Sequence, residues 1–410
     1  MGKKIISLFK GQRETLDKEH IAQLEALRGA IWIHSASVGE FEQARPIIEQ
    51  LKIKNSKLKI VLTFFSPSGY ELRKNYELVD GVFYLPFPNR RNANKFIDAL
   101  QPSKVLFVKY EFWPPYLRAL KKRGIPTFSI SAIFRPTQRF FHWYGKSSLN
   151  LLKCFTHLYV QDEASRALLA EHGLENCTVT GDTRFDRVVK IADAVRSEPA
   201  NAVGSPLAVR LTPIAQFVQG AERVLVAGST WPKDEALLAQ LKIQNEKLKI
   251  ILVPHEINDE HLHFIFNLFE GRIVKYSAVT GEGLPMTDES RFNILQHAQV
   301  MVLDTIGLLS SIYRFGQVAY IGGGFGVGIH NTIEAAVYGV PVLFGPNYHH
   351  FREAQGLIDA GAGKSVSNYA ELAEAIETAF ANHEEIGAKA AQYVESELGA
   401  TEKIYKYIFG

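Results

Sequence analysis

The sequence predicts an α/β protein built as two doubly wound, Rossmann-like parallel sheets facing each other across a cleft. Three observations carry that expectation. Short apolar runs alternate with amphipathic stretches from one end of the chain to the other. The runs are continuously apolar, as strands buried on both faces are. The chain has 410 residues, 46% of them apolar, which exceeds one typical core and points to two domains.

In the first half, IWIHSA (31–36), KIVLTFF (59–65), GVFYLPF (81–87), KVLFVKY (104–110), PTFSISA (126–132), HLYVQ (157–161) and the short TVTG (178–181) are expected strands. EFEQARPIIEQLK (40–52) and NANKFIDAL (92–100) have helical spacing. In the second half, RVLVAGS (223–229), KIILVPH (249–255), RIVKY (272–276), QVMVLD (299–304), VAYIGGG (318–324) and VPVLFGP (340–346) are strands, with helices at 235–244 and 330–339. SEPANAVGSP (197–206) breaks the pattern. This places one domain at 1–200, a linker at 201–222 and a second domain at 223–410. The last helix is a candidate to pack back on the first domain.

Composition narrows the class. Only Cys154 and Cys177 are present, which excludes a disulfide framework or a cysteine-rich zinc site and fits a reducing compartment. No HExxH, EF-hand, CxxC or DxD pattern occurs, so no metal is expected. No apolar run approaches the roughly 20 residues of a membrane span. The start, MGKKIISLFKGQRE, is basic and briefly apolar: the tail of a membrane-proximal helix or a frayed end. The net charge of +3 hides an asymmetry, because Pro86 to Lys153 holds 13 Lys/Arg against Asp98 and Glu111. The same stretch carries Phe107, Tyr110, Phe112, Trp113, Phe140, Phe141, Trp143 and Tyr144. Basic plus aromatic suits a phosphorylated lipid or an anionic membrane surface. Nucleic acid is the disfavoured partner, and a solvated basic face beside buried aromatics is the plain alternative.

In doubly wound sheets, ligands bind where the strands end, so the segments after strands are the ones to read. HSASVGE (34–40) has small residues leading into a helix, and Glu40 near the helix start is either a general base toward a hydroxyl or a capping acid. KYEFWPP (109–115) places Glu111 among bases, as an ion-pair partner or as a site acid. TGDTRFD (180–186) offers Arg184 to a phosphate or carboxylate, or pairs it with Asp182 or Asp186. In YIGGGFGVGIHNTIEAAVYGVPVLFGP (320–346), five glycines lead into a helix, where backbone amides can hold a phosphate and Glu334 can accept from ribose hydroxyls. Gly-Ser-Thr at 228–230, Pro-His-Glu at 254–256 and Asp-Thr-Ile-Gly at 304–307 are further loops able to line a nucleotide.

In this order, S-x-S-V-G-E, E-x-W-P, G-D-x-R-F-D, the Gly-rich H-N-x-x-E-A-A block and P-V-L-x-G-P resemble the 3-deoxy-D-manno-octulosonic acid (Kdo) transferase family, the lipid A glycosyltransferases of Gram-negative bacteria. The resemblance runs from about Gly11 to about Gly399. It implies a GT-B fold, an acceptor-binding first domain and a second domain that binds the donor CMP-Kdo, with no cofactor. Glu40 falls on the family's general base, Glu111 on a retained acid and Arg184 on a basic residue, often Lys, that stabilises the transition state. Pro254, His255, Ile306, Gly307, Leu308, Asn331, Thr332, Ile333 and Glu334 fall on the family's CMP-contacting positions; Ser229 and Gly326, from the loops read above, are further candidates on the nucleotide side. The chain departs from the family pattern at Lys109, where many members have an acid, at His255, where many have Arg, and at Leu308, where many have Glu. The implied activity is inverting, metal-independent transfer of Kdo to a lipid A precursor. It would take place at the cytoplasmic face of the inner membrane, with the protein held peripherally or by an N-terminal anchor. Another GT-B sugar-nucleotide enzyme, a UDP-sugar transferase or epimerase, is the first alternative. A non-catalytic lipid- or nucleotide-binding protein of this fold is the second.

Overall fold

Every strand of the computed structural model pairs parallel to its neighbours, in two sheets of seven. Residues 2–197, 205–242, 247–269, 271–280, 288–326 and 328–410 are described. They fall into two units, Met1–Arg187 with Glu397–Gly410, and Val188–Ser396. Residues 198–204 of the expected break, Ile243 and Gln244 of an expected helix, and Val327 of the Gly-rich loop lie outside the described residues.

The first unit contains β1 (Ile31–His34), β2 (Ile60–Phe64), β3 (Gly81–Tyr84), β4 (Lys104–Val108), β5 (Thr127–Ala132), β6 (His157–Val160) and β7 (Cys177–Val179), in the order β3-β2-β1-β4-β5-β6-β7. The strand order reverses between β1 and β4, which makes that pair the switch point where a crevice opens. Every residue of β1 and β2 is buried, as their continuous apolar pattern requires. On one face Trp32 packs against Phe96, Phe107 and Tyr116. On the other, Phe41, Ile47 and Ile48 of helix Val38–Lys54 share a cluster with Ile404 and Ile408. These last two belong to the terminal helix Ala400–Phe409. Burying such side chains contributes about 1.5–3 kcal/mol each, which accounts for the return of the chain to this sheet.

The second unit contains β8 (Arg223–Thr230), β9 (Leu248–Pro254), β10 (Ile273–Lys275), β11 (Val300–Val302), β12 (Val318–Ile321), β13 (Val342–Phe344) and β14 (Gly363–Ser365), in the order β10-β11-β9-β8-β12-β13-β14. Its reversal lies between β8 and β12. The Gly-rich segment therefore leaves β12 at the switch point.

Three expectations are corrected. The division falls after Arg187, inside helix Thr183–Ser197, not at 201–222. The described part of the expected linker is largely a helix, Pro206–Val218, with Leu211, Ile214 and Phe217 buried. Ser205 and Pro206, which resemble loop punctuation, are its N-cap and first-turn proline. The helix expected at 330–339 is only Ile333–Ala336. β14 carries a Gly-Lys-Ser sequence with no apolar signal, so it was not legible as a strand.

Candidate active site

In the first unit the chain leaves β4 through Lys109, whose φ of 59° is left-handed. For a residue with a side chain this costs on the order of 1 kcal/mol. The turn places Glu111 beside the end of β1, where its Oε2 lies 3.3 Å from His34 Nε2. The same oxygen accepts the Trp113 indole N–H, and that indole nitrogen lies 3.1 Å from His34 Nε2. The other ring nitrogen of His34 faces the Thr63 hydroxyl at 2.8 Å and the Thr63 carbonyl at 3.1 Å. The Thr63 hydroxyl also accepts the Trp32 indole N–H at 2.8 Å. His34 is fully buried and Glu111 is 9% exposed, so two tryptophans, a threonine, a histidine and a carboxyl form one closed polar chain.

Glu40 joins this group from helix Val38–Lys54. The capping reading of Glu40 is realised: Ser37 donates its amide to Glu40 Oε2 at 2.9 Å and its hydroxyl at 3.1 Å. Ser37 Oγ in turn accepts the Glu40 amide at 3.5 Å, completing a capping box. This does not make Glu40 an ordinary surface acid. Burial raises its pKa above the usual carboxyl value, and the charge of Glu111 adds to the rise; the Ser37 hydrogen bonds and His34 act against it. A carboxyl shifted upward by burial and a like charge is the kind of group that accepts a proton near neutral pH.

Arg184 takes its partner from the pairs expected. Its Nε and Nη2 donate to Asp182 Oδ2 at 2.9 and 2.7 Å, and its amide donates to Asp182 Oδ1 at 3.0 Å. Asp182 is 1% exposed, so this is not the surface pair considered from sequence. Burial favours the neutral acid there, but the Arg184 guanidinium and the hydrogen bonds hold its pKa below the ordinary carboxylate value. Gln43 also donates to Asp182 Oδ1 at 3.1 Å, and the Thr183 hydroxyl donates to the Gln43 carbonyl at 2.6 Å. The Arg184 turn is thereby tied to the helix that carries Glu40. The sequence marks Trp113 only as an aromatic of the basic stretch and Asp182 only as a surface partner of Arg184, and it gives His34 and Gln43 no role of their own; a polar residue at the end of a fully apolar strand is the one signal for His34.

In the second unit the expected nucleotide residues lie at or after the ends of β8, β9, β11 and β12. Ser229 is left-handed, φ 54°. Gly322 packs on it so closely that a Cβ there would lie 2.3 Å from the Ser229 carbonyl oxygen. His255, just past β9 and Pro254, stacks on Trp231 at 4.8 Å and on His330 at 4.4 Å. Trp231 Nε1 donates to His330 Nε2 at 3.1 Å, and burial lowers the His330 pKa to about 4. A pocket of about 370 Å³ adjoins this platform, lined by Trp231, Lys233, Asp234, Phe325 and Gly326 among others.

In the glycine-rich segment, whose amides the sequence offers to a phosphate, several amides have internal partners. Gly323 N donates to Asp234 Oδ2 at 2.9 Å, Gly322 N to the Gly228 carbonyl at 2.9 Å, and Gly326 N to the Gly323 carbonyl at 2.9 Å. A Cβ on Gly324 would lie 2.6 Å from Gly345 Cα. The glycines there allow backbone to pack on backbone. Buried Asp234 also accepts the Tyr320 hydroxyl at 2.7 Å and the Trp231 amide at 2.9 Å, pinning the loop to β12.

Asn331 Oδ1 accepts the Ile333 amide at 3.1 Å, and Asn331 Nδ2 donates to Glu334 Oε1 at 3.0 Å. Thr332 and Ile333 are buried. Ile306 is 84% exposed, whereas Leu308 is 1% exposed, so Leu308 offers a ligand its backbone only. Gly307 is left-handed, φ 85°.

The basic, aromatic stretch divides by burial. Phe107 and Phe140 are core, and Phe112, Trp113 and Phe141 pack against that core. Trp143 is 92% and Tyr144 61% exposed. Arg90, Arg91, Lys95, Lys121, Lys122, Arg139 and Lys146 are exposed. Among the described residues, no helix is long and apolar enough to cross a membrane, and no group of three or more His, Cys, Asp or Glu side chains is placed to hold a metal ion.

Residues 10–187 match the family model described as 3-deoxy-D-manno-octulosonic-acid transferase (kdotransferase). The match ends where the first segment of the first unit ends. The chain is 26% identical over 362 residues to the 3-deoxy-D-manno-octulosonic acid transferase of Aquifex aeolicus, covering 85% of each chain. It is 26% identical over 368 residues to the Haemophilus influenzae protein of the same name, covering 87% of this chain and 80% of that one. Among solved structures, UDP-GlcNAc 2-epimerase from Neisseria meningitidis superposes with a TM-score of 0.64 at 14% identity, covering 92% of this chain and 98% of that chain. At that identity the likeness establishes the two-sheet GT-B fold.

Proposed function

Taking the chain as a glycosyltransferase of the Kdo transferase family, we propose that it transfers Kdo from CMP-Kdo to a lipid A precursor with inversion at the anomeric carbon. The observation that carries the chemistry is Glu40, a carboxyl held by a capping box and raised in pKa by burial and by Glu111. In this reading Glu40 takes the proton from an acceptor hydroxyl as that oxygen bonds to the anomeric carbon of Kdo. The bond from that carbon to the CMP phosphate oxygen breaks, and CMP leaves with the electron pair.

The remaining roles follow from what each residue touches. Glu111, fixed by His34 and Trp113, sets the charge beside Glu40. Arg184, oriented by Asp182, supplies positive charge to the reacting groups. In the second unit, the platform of Trp231, His255 and His330 faces the nucleotide. Ser229, Pro254, Gly326 and Asn331 to Glu334 shape its site, and Ile306, Gly307 and Leu308 contact it largely through backbone. Trp143 and Tyr144, with the exposed bases, support docking at an anionic membrane surface, because indole and phenol rings favour the headgroup level and lysine and arginine favour anionic lipid.

The test is mass spectrometry of a lipid A precursor after incubation with CMP-Kdo and the protein. Addition of Kdo masses that Glu40→Gln abolishes supports the reading. No addition by the wild type, with cytidine nucleotide bound, points to another acceptor. Binding of uridine but not cytidine nucleotides overturns it.

A further inference from the structure

We propose that Glu235 and His261 are positioning residues that fix the stacked pair Trp231–His255 for nucleotide binding. The inference rests on the reading of that platform as the face the nucleotide meets. Glu235 lies in helix Pro232–Lys242 and His261 in helix Asp259–Leu268. Both are buried: Glu235 has no exposure and His261 has 8%. Glu235 Oε1 accepts the hydroxyl of buried Thr230 at 2.8 Å, and Thr230 immediately precedes Trp231. Glu235 Oε2 lies 2.8 Å from His261 Nε2. The other ring nitrogen of His261 lies 2.9 Å from the carbonyl oxygen of Glu256, and Glu256 immediately follows His255. One carboxyl thus reaches both members of the stack through their chain neighbours.

Donor and acceptor accounting fixes the chemistry of this link. A carbonyl oxygen only accepts, so His261 Nδ1 carries a proton. At 2.8 Å, Nε2 and Glu235 Oε2 then hold one proton between them, on the imidazole or on the carboxyl. Burial raises the Glu235 pKa above the usual carboxyl value; the Thr230 and His261 bonds oppose the rise, and the charge of Asp234 adds to it. Asp234 itself is committed to Tyr320, Gly323 and Trp231. The stack depends on side chains for its placement, because strand pairing is irregular there. Ser229 is left-handed, and the β8–β9 register shifts between Gly228 and Thr230. One ladder bond remains, from the His255 amide to the Thr230 carbonyl at 3.0 Å. Glu235 and His261 add the second tie between the same two segments.

Titration calorimetry of the full chain with CMP reads the effect. Glu235→Ala and His261→Leu each break the link and are expected to weaken CMP binding about tenfold, the scale of an unpaired buried polar group. Glu235→Gln is expected to recover most of that loss. Its amide N–H can donate to a neutral His261 Nε2 while its oxygen accepts the Thr230 hydroxyl. Melting curves establish that each variant is folded at the assay temperature. In turnover of CMP-Kdo the loss is expected in KM more than in kcat, since Glu40 lies in the first unit. Nitrogen-15 NMR is expected to find His261 Nδ1 protonated in the wild type and in Glu235→Gln. Weakened binding that glutamine restores supports the proposal. Unchanged CMP affinity in folded Glu235→Ala or His261→Leu, no recovery in Glu235→Gln, or an unprotonated Nδ1 overturns it. Wild type that binds CMP and transfers no Kdo overturns the transferase reading and leaves the positioning role standing. Wild type that binds no CMP overturns both.

Discussion

The carboxylate of Asp186 accepts both the backbone amide of Thr401, at 2.7 Å, and its hydroxyl, at 2.6 Å. Its other oxygen accepts the amide of Gly399 at 2.7 Å. A side chain of the Thr-Gly-Asp-Thr-Arg-Phe-Asp motif thus caps the last helix of the chain from 215 residues away. Gly399 is left-handed, φ 93°, and supplies no capping side chain of its own. An outside acid does that work for the unsatisfied amides of the first turn.

Asp186→Ala is expected to cost the first unit about 1–2 kcal/mol, the usual loss of a helix cap. Hydrogen exchange should show the amides of Ala400–Phe409 losing protection before those of β8 to β14. Equal protection in the variant and the wild type would show that packing of Ile404 and Ile408 alone holds the helix.

Glu40→Gln separates stability from activity. Glutamine still accepts the Ser37 amide in a capping box, and it removes a carboxyl that burial makes costly to ionise. A carboxyl whose folded pKa is raised contributes stability in full below its unfolded value, and that contribution is lost as pH rises through the folded value. The variant should therefore melt no lower than the wild type at pH 8. Its turnover should fall roughly 10²–10⁴-fold. A lower melting temperature with turnover intact would make Glu40 a cap and nothing more.

Arg184→Ala leaves Asp182 buried without its cation. Removing one partner of such a pair typically costs about 3–5 kcal/mol, and Arg184→Ala together with Asp182→Asn should recover part of it. Because Asp182 has a depressed pKa in the folded state, its contribution is present above its unfolded pKa and lost as pH falls through the folded value. Denaturant midpoints of wild type and Arg184→Ala should stay apart down to the ordinary carboxylate value of 3.8 and draw together only as pH falls below it. Parallel curves would show that the pair does not control acid stability.

Trp143→Ser with Tyr144→Ser should weaken binding to anionic vesicles without lowering the melting temperature, since both rings are exposed. Arg90→Glu, Arg91→Glu and Lys95→Glu together should weaken it too, more at low salt than at high salt. Vesicle flotation at two salt concentrations separates the aromatic from the electrostatic part. Binding unchanged in both variants would place the membrane face elsewhere.

By itself the sequence determined the two parallel sheets, because strands buried on both faces must be continuously apolar, as Ile31–His34 and Ile60–Phe64 are. It also determined where to look, since Glu40, Glu111 and His255 follow strands and Ser229 is the penultimate residue of one. The tertiary structure decided what those residues touch. The pairing of β1 with β4 joins His34 to Glu111 across 77 positions. The fold of the 180–187 segment gives Arg184 to Asp182 and leaves Asp186 for the last helix. Backbone packing at Gly322 and Gly324 spends glycines that a sequence pattern assigns to phosphate. Local apolar periodicity reports burial, and burial is nearly local. Hydrogen-bond partners and charge neighbours come from segments far apart in the chain, and only the folded sheet order brings them together.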